Sequence, residues 1–259
     1  MGAGVSRLAA VAANTFRETV RERVLYNLVF FAILMTLSSL LLGELSIRQD
    51  QKIIKDVGLG AMDIFGTLIA ILIGVGLVSK EIDRRSLYPL LAKPLSRTEF
   101  FLGKTAGLAL TLFVNTAVMT LGLCGALVLA HRFVGISTIV KGVYAIYLGL
   151  LLVVALAMFF STVTSSTLAA IGTVALVVAG RFSDVIRNMR EVLPAAPGWL
   201  VTAIYWALPN FHNFDFKDRV AYGDPIAFGD LAWVSVYAFV YVSLLLGAGL
   251  WLFGRRDLS

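Results

Sequence analysis

The chain has 259 residues, of which 59% are hydrophobic and 15% charged, with a formal net charge of +6. Soluble domains use roughly 45–50% apolar residues, so this composition excludes an ordinary water-soluble fold and predicts a single all-α membrane domain over 1–259. The single cysteine, Cys124, lies in an apolar run without neighbouring ligands, so we expect neither an internal disulfide nor a metal site.

Residues 1–23 are predicted to form an amphipathic helix before the first membrane span. Charged and amide side chains take one face of this helix, and apolar side chains at helical spacing take the other. The apolar face consists of Val5, Leu8, Ala9, Ala12, Phe16 and Val20. A helix of this kind is typical of segments that lie on a membrane surface, and we expect it on the cytoplasmic leaflet.

Charge-free runs predict six transmembrane helices. A helix needs about 20 residues, at about 1.5 Å each, to cross roughly 30 Å of hydrocarbon. The second run is short, but apolar or small residues at 59–62 extend it. The fourth run is long enough for two spans, and we expect a tight turn at its hydroxyl cluster, 161–167. The runs are 24–43, 64–79, 105–130, 142–180 and 231–254.

The segment 80–104 is the longest predicted cytoplasmic connection. Ser96 and Glu99 fit a capping box, in which each side chain bonds the backbone N–H of the other. A helix is therefore predicted to begin at Arg97 and to continue into the third span.

An apolar stripe precedes that helix, formed by Leu87, Leu90 and Leu91 among charged residues, and Pro94 ends it. An exposed apolar stripe surrounded by charge suits the groove of a protein partner. The alternative is a loop whose basic residues contact lipid phosphates.

The start of the third span imitates part of a nucleotide-binding motif. Gly103, Lys104 and Thr105 match the end of a P-loop, but Thr98 stands where its first glycine is required. The segment is also predicted to be a capped helix, not a loop after a strand. We therefore expect no ATP hydrolysis by this chain.

Polar and small residues continue along the third span. Thr111, Asn115 and Thr116 are interpreted as lining a path or as packing against neighbouring helices, with helix-to-helix hydrogen bonds. Gly103 and Gly107 form a GxxxG pattern, which favours close helix packing or, as the alternative, a dimer interface.

The region 181–230 is predicted to lie outside the membrane. Its first part, 182–193, has the pattern of a helix lying flat on the surface. Prolines confine the next helix to 199–208, which fits a re-entrant or interfacial helix; if this helix crosses instead, there are seven spans. His212 and Asp215 are candidates for a metal or acid–base site, with a solvated loop as the alternative.

Loop charge sets the expected orientation. One side receives the N-terminus, the segment 80–104, the turn near 165 and the C-terminal tail, and it holds twelve basic and six acidic residues. The other side holds ten of each. Basic loops mark the cytoplasmic side, so both termini are predicted cytoplasmic in a bacterial-type inner (plasma) membrane. Because topology accounts for the basic excess, we expect the lipid bilayer as a partner and no nucleic acid.

Ion-coupled transporters keep ionisable side chains inside the membrane. The predicted spans contain none in their interiors, and Glu44 and Asp63 only border the outer face. We therefore expect the coupling energy to come from another subunit.

The region after the second span resembles the coupling region of type-2 ABC exporter permeases. The resemblance rests on Glu81, a Leu-rich turn, Pro-Leu-Ser-Arg at 94–97 and Gly-Lys at 103–104. It extends to the amphipathic first helix, the six spans, a short fifth span and a re-entrant segment before the sixth.

The family commonly has Gly-Thr-Leu after the glutamate, whereas Arg85-Ser86-Leu87 stands here. Leu-Pro-Asn-Phe at 208–211 and Phe-Asp-Phe-Lys-Asp at 214–218 are similar to the branch linked to multicopper-enzyme maturation, of the nitrous-oxide-reductase accessory kind.

The resemblance implies that the chain is the permease subunit of an exporter. It also implies two protein partners: a second permease, as a homodimer or heterodimer, and a cytoplasmic ABC ATPase subunit. It implies no cofactor in this chain, with ATP and Mg on the partner ATPase. The ATPase-docking residues that it implies are Glu81, Arg85, Leu87, Leu90, Leu91, Pro94, Arg97 and Lys104. The alternatives are a membrane-embedded enzyme or accessory protein that uses 181–230, and an ATPase-independent channel.

Overall fold

The computed structural model describes residues 2–20, 30, 31, 34, 50–83, 96–129, 135–183 and 208–255. These residues form helices joined by short turns, and none of them lies in a β-strand. The predicted all-α fold is therefore confirmed for this part of the chain. The first predicted span, 24–43, lies almost entirely outside it.

The elements whose bounds are described follow one another with short connections. They are α1 (Gly2–Thr19), α2 (Asp50–Asp83), α3 (Arg97–Leu129), α4 (Ile136–Val163), α5 (Ser166–Arg181), a 3₁₀ turn (Phe211–Phe214), α6 (Lys217–Tyr222) and α7 (Phe228–Arg255). We call the end of the bundle that holds the start of α2 and all of α6 the outer end, following the charge-based prediction. The opposite end is the inner end.

Four of these helices are long and apolar enough to cross a membrane. Helix α5 is apolar but has only 16 residues, which cover about 24 Å and thus less than a full hydrocarbon layer. The described residues therefore account for four long candidate spans and one short one, and not for the full set of six that the sequence predicts. The candidate spans are Lys52–Gly76, Thr98–Val128, Ile136–Val163 and Phe228–Leu252.

Helix α4 is the centre of the bundle and α7 is at its edge. In their most apolar windows, 67% of α4 is buried, against 11% of α7. Helices α2, α3, α5 and α7 all pack against α4. Close approach of α2 depends on glycine, because a β-carbon at Gly66 would lie 2.7 Å from a methyl group of Leu150. The same holds at Gly74, where it would lie 2.6 Å from the β-carbon of Ala157.

Helix α2 begins earlier than the sequence predicts. The predicted span starts at 64, or at 59 with its extension, whereas the helix starts at Asp50. Contacts with distant segments stabilise this charged first part: Lys52 lies 3.3 Å from the centre of the Tyr222 ring, and Lys55 is only 3% exposed. The earlier start puts Asp63 inside a candidate span and not at its border, which corrects the prediction for that residue.

The predicted turn within the long fourth run is confirmed. Helix α4 ends at Val163 and α5 begins at Ser166, inside the hydroxyl cluster. The hydroxyls of Ser161 and Thr164 donate to carbonyl oxygens of the preceding turn, at 2.8 and 3.0 Å. The two helices therefore form an antiparallel pair.

A compact segment covers the outer end of α4 and α5. It comprises residues 208–223, and we call it the outer cap. It packs closely where the bundle carries glycine: a β-carbon at Gly142 would lie 2.6 Å from Val220, and one at Gly180 would overlap the carbonyl oxygen of Pro209. The predicted surface helix, 182–193, and the predicted re-entrant helix, 199–208, lie outside the described residues except for their terminal residues.

Candidate functional site

The capping box at the start of α3 is confirmed. The backbone N–H of Ser96 donates to the Glu99 carboxylate at 3.0 Å, and the backbone N–H of Glu99 donates to the Ser96 hydroxyl at 3.1 Å. Both bonds satisfy N–H groups that a helix start would otherwise leave without partners. Helix α3 therefore begins at Arg97, as predicted.

The two helices that border the predicted docking element are described, and the element between them is not. Glu81 belongs to the last turn of α2, and Arg97 is the first residue of α3. The remaining predicted docking residues, apart from Lys104, lie outside the described part of the chain: Arg85, Leu87, Leu90, Leu91 and Pro94.

Lys104, the last of the predicted docking residues, is buried. Its side chain is 4% exposed, and its ammonium nitrogen is 4.7 Å from the centre of the Phe100 ring. Gly103 and Gly107 flank it, and both contact α1: their β-carbons would lie within 2.8 Å of Val11 and Ala12, respectively. The GxxxG pattern is thus used for close packing within one chain, which is the first of its two interpretations.

The face of α1 that packs against α3 is shifted along the sequence by about one residue from the predicted apolar face. Thr15 and Thr19 are buried, and Val11 and Ala12 are half-buried, whereas Ala9 is exposed. Small residues suit this position because the glycines of α3 bring the two helix backbones close together.

Thr111, Asn115 and Thr116 of α3 are buried, and none of the three forms a hydrogen bond to another helix that the structure describes. Thr111 and Thr116 donate to carbonyl oxygens of their own helix, at 2.9 and 2.8 Å. Both polar side-chain atoms of Asn115 are buried, and neither has a hydrogen-bond partner within the described part of the chain. Burial fits helix packing in this conformation, and a role in a path stays a prediction.

Three charged groups from distant parts of the chain meet at the outer end. Asp63 of α2 accepts two hydrogen bonds from the Arg181 guanidinium, at 2.6 and 2.8 Å, and one from the Lys217 ammonium at 3.0 Å. Arg181 also donates to the Thr67 hydroxyl at 3.1 Å. We call Asp63, Arg181 and Lys217 the outer ion cluster. It connects α2, the end of α5 and the start of α6 in the outer cap.

A cavity of about 190 Å³ lies beside this cluster. Its polar wall includes the outer ion cluster together with His212 and Asp215 of the cap, and its apolar wall includes Ile146 and Val153 of α4. Burial alone would lower the pKa of Lys217, but the carboxylates of Asp63 and Asp215 outweigh it, so this pKa is raised above its ordinary value. Lys217 therefore stays protonated at neutral pH.

Comparison with protein families decides what kind of membrane protein this is. A family model described as ABC-2 family transporter protein matches residues 9–183, which is more than half of the chain. The chain belongs to this ABC-2 transporter family. Comparison with curated proteins finds no match.

The ABC-2 match gives the chain the role of a membrane subunit of an ABC transporter, and not of the ATPase itself. This agrees with the structure, since Gly103, Lys104 and Thr105 lie within helix α3 and form no phosphate-binding loop. The match includes Asp63 and Arg181 but ends before the outer cap.

The outer ion cluster of this ABC-2 protein was not predicted from sequence. Asp63 was placed at a membrane border, and no partner was assigned to it. Its partners are 118 and 154 residues away in the chain, so no local spacing connects them. The available signal was weak: an aspartate beside one apolar run and an arginine at the end of another.

The structure brings together the two residues that the sequence singled out in the outer region. His212 and Asp215 both line the cavity. Among the described residues, however, no group of three or more His, Cys, Asp or Glu side chains is arranged to hold a metal ion.

Proposed function

We propose that this ABC-2 protein is the permease of an ATP-driven exporter that works as a dimer and is coupled to a separate cytoplasmic ATPase through 80–104. The observation that carries the proposal is the family match, which includes α2, α3 and the segment between them. The outward direction rests on the resemblance to exporter-type permeases.

The distribution of charge supports an external source of energy. In the four candidate spans, Asp63 is the ionisable side chain nearest the middle of a span, and it is held in ion pairs with Arg181 and Lys217. The other ionisable side chains, such as Lys55 in α2 and Lys104 in α3, lie in the end segments. Ion-coupled carriers use ionisable groups inside the membrane, and in our proposal this paired carboxylate is structural and couples no ion.

The inner ends of α2 and α3 support force transfer through the segment between them. Helix α3 begins at a closed capping box, and α1 packs against its first turns at Gly103 and Gly107. Movement of a docked ATPase would therefore be passed to whole helices and not absorbed by frayed helix ends. In our proposal, this movement switches access to a cavity between the two permeases.

Charged substitutions in the apolar stripe test the docking role. We expect the triple variant Leu87→Glu/Leu90→Glu/Leu91→Glu to lose co-purification of the ATPase, because an apolar stripe that docks in a groove cannot accept three carboxylates. Phe100 is left unchanged, since it is half-buried and carries Lys104 on its ring.

The matched control places three glutamates at exposed positions of α1, as Ser6→Glu/Ala10→Glu/Asn14→Glu. This control should retain the ATPase, and both variants should insert and unfold at similar temperatures. If the stripe variant is folded and still retains the ATPase in full, the proposed docking role is wrong.

One observation favours a second candidate function, an enzyme or accessory protein that uses the outer region. His212 and Asp215 line the same cavity as the outer ion cluster. Alanine at both positions separates the two functions. The enzyme function requires loss of a catalytic step while the ATPase stays bound, whereas ATPase docking at the inner end is independent of both side chains.

A further inference from the structure

The cavity at the outer end is larger than a site for ordered water. A cavity needs about 10–15 Å³ to hold one water molecule, and the outer cavity has a volume of about 190 Å³. It can therefore hold roughly a dozen groups the size of a water molecule. Gly149 also lines the cavity, and a β-carbon at this glycine would lie 3.5 Å from Phe214 of the cap. The cavity therefore has the dimensions of a small-molecule site.

Among the described residues, the charges of the side chains that line the cavity sum to zero. Arg181 and Lys217 are cationic, and Asp63 and Asp215 are anionic. Because the cavity lies beside apolar helices, a ligand with net charge would add an uncompensated charge to a partly desolvated site, which is costly. A ligand without net charge avoids this cost.

Both signs of charge nevertheless retain hydrogen-bonding capacity. The guanidinium of Arg181 has five N–H donors, and three are paired with Asp63 and Thr67 among the described residues. The Asp215 side chain is 40% exposed, and among the described residues its polar contacts are with Lys217, through the ammonium group at 3.4 Å and the backbone N–H at 3.3 Å. Arg181 thus has donors left for an oxyanion, and Asp215 has acceptors left for an ammonium group.

The part of the lining formed by Ile146 and Val153 is apolar. We propose that the outer cavity binds a small zwitterion, an ammonium group and an oxyanion joined by a few bonds, with its apolar part against α4. This ligand chemistry occurs in zwitterionic phospholipid headgroups and in free amino acids. The inference does not depend on ATPase coupling, since binding is measured on the permease alone.

Calorimetric titration of the purified chain tests the required charge. The probes are glycerophosphoethanolamine and leucine as zwitterions, glycerol 3-phosphate as the anion, and ethanolamine as the cation. We expect saturable binding of at least one zwitterion and at least tenfold weaker binding of the anion and the cation. Equal or tighter binding of either charged probe, or no saturable binding of any probe, overturns the proposal.

Substitution at Asp215 tests the location. Asp215→Asn removes the charge that would pair with ammonium but keeps an oxygen that can accept the backbone N–H of Lys217. We expect it to weaken zwitterion binding about tenfold. The control is Asp230→Asn, at an aspartate of matching exposure, 42%, that pairs with Arg219. Unchanged binding by Asp215→Asn, or an equal loss in both variants, contradicts the assignment.

Two lipid compositions distinguish a phospholipid headgroup from a free amino acid as the source of the ligand. Nanodiscs of phosphatidylethanolamine should reduce leucine and glycerophosphoethanolamine binding relative to nanodiscs of phosphatidylglycerol if the headgroup occupies the cavity. Equal binding of the soluble zwitterions in both assigns the site to a free solute. In Asp215→Asn, both the binding of the soluble zwitterions and any effect of the lipid on it should be weakened. A lipid effect that persists in this variant counts against the site.

Discussion

Asp63 shows how one carboxylate joins three parts of the chain. Its two oxygens accept three N–H bonds, and its side chain is only 15% exposed. Its partners are more open, at 33% for Arg181 and 20% for Lys217. Removal of the carboxylate would leave two cations close together in a partly desolvated place.

We expect Asp63→Asn to lower the free energy of unfolding by roughly 1–3 kcal/mol, as for the loss of a partner from charged hydrogen bonds. The loss should be below the roughly 3–5 kcal/mol of fully buried pairs, because the two cations keep some contact with solvent. Thermal unfolding in detergent, followed by tryptophan fluorescence, measures the change.

The control for this substitution is Asp230→Asn, which breaks the exposed pair of Arg219 and Asp230 at 2.7 Å. Exposed pairs contribute about 0–1 kcal/mol, so its unfolding temperature should change little. Equal stability of the two variants would show that the outer ion cluster contributes no more than a surface pair.

At the scale of helices, glycines decide which elements meet. The same helix α3 offers a matched pair of sites: Gly107 faces α1 closely, whereas a β-carbon at Gly125 would meet nothing within 4 Å. Both are inside the helix, so replacement by alanine raises helix propensity equally at the two positions. Any difference between the variants therefore reports contact with α1.

We expect Gly107→Ala to push α1 away from α3, because the new methyl group would lie 2.7 Å from the backbone oxygen of Ala12. Overpacking of this kind costs about 1–3 kcal/mol. Hydrogen exchange of the α1 amides should become at least tenfold faster in this variant and stay unchanged in Gly125→Ala. Equal exchange rates of the α1 amides in the two variants would mean that α1 does not pack against α3 at Gly107.

Local patterns made some elements predictable, and distant contacts made others unpredictable. The capping box of Ser96 and Glu99 involves residues three apart, so the sequence contains all of it. The turn between α4 and α5 was marked by its hydroxyl cluster. The start of α2 was predicted wrongly because its charged first turns depend on Tyr222, far away in the chain. The partners of Asp63 were missed for the same reason.

For the whole molecule, the outer cap closes the bundle by contact between backbones. Gly180, next to Arg181 at the end of α5, lies against the carbonyl oxygen of Pro209, and a β-carbon there would also lie 2.7 Å from the ring of Phe211. The Pro209 carbonyl is backbone, so it cannot move away as the end of a flexible side chain could. The position of the cap therefore depends on the absence of a side chain at this residue.

Gly180→Ala should lift the cap and separate Lys217 from Asp63. We expect faster hydrogen exchange of the amides in 210–223 and a lower unfolding temperature. Gly76→Ala, at a glycine with nothing within 4 Å of its added β-carbon, is the control and should leave both unchanged. A cap that exchanges as slowly in Gly180→Ala as in the parent protein contradicts this account.

Helix α2 is unbroken over 34 residues, or about 51 Å, so its two ends are parts of one rod. A tilt of about 10° around its midpoint would carry each end about 4 Å in opposite directions. Such a see-saw motion at Glu81 would carry Lys52, near the opposite end, about 4 Å relative to the Tyr222 ring of the outer cap, whereas Asp63, about 5 Å from the midpoint, would move by only about 1 Å. A push applied on one face of the membrane would thus be registered by the cap on the other face, while the ion cluster near the pivot keeps its three bonds.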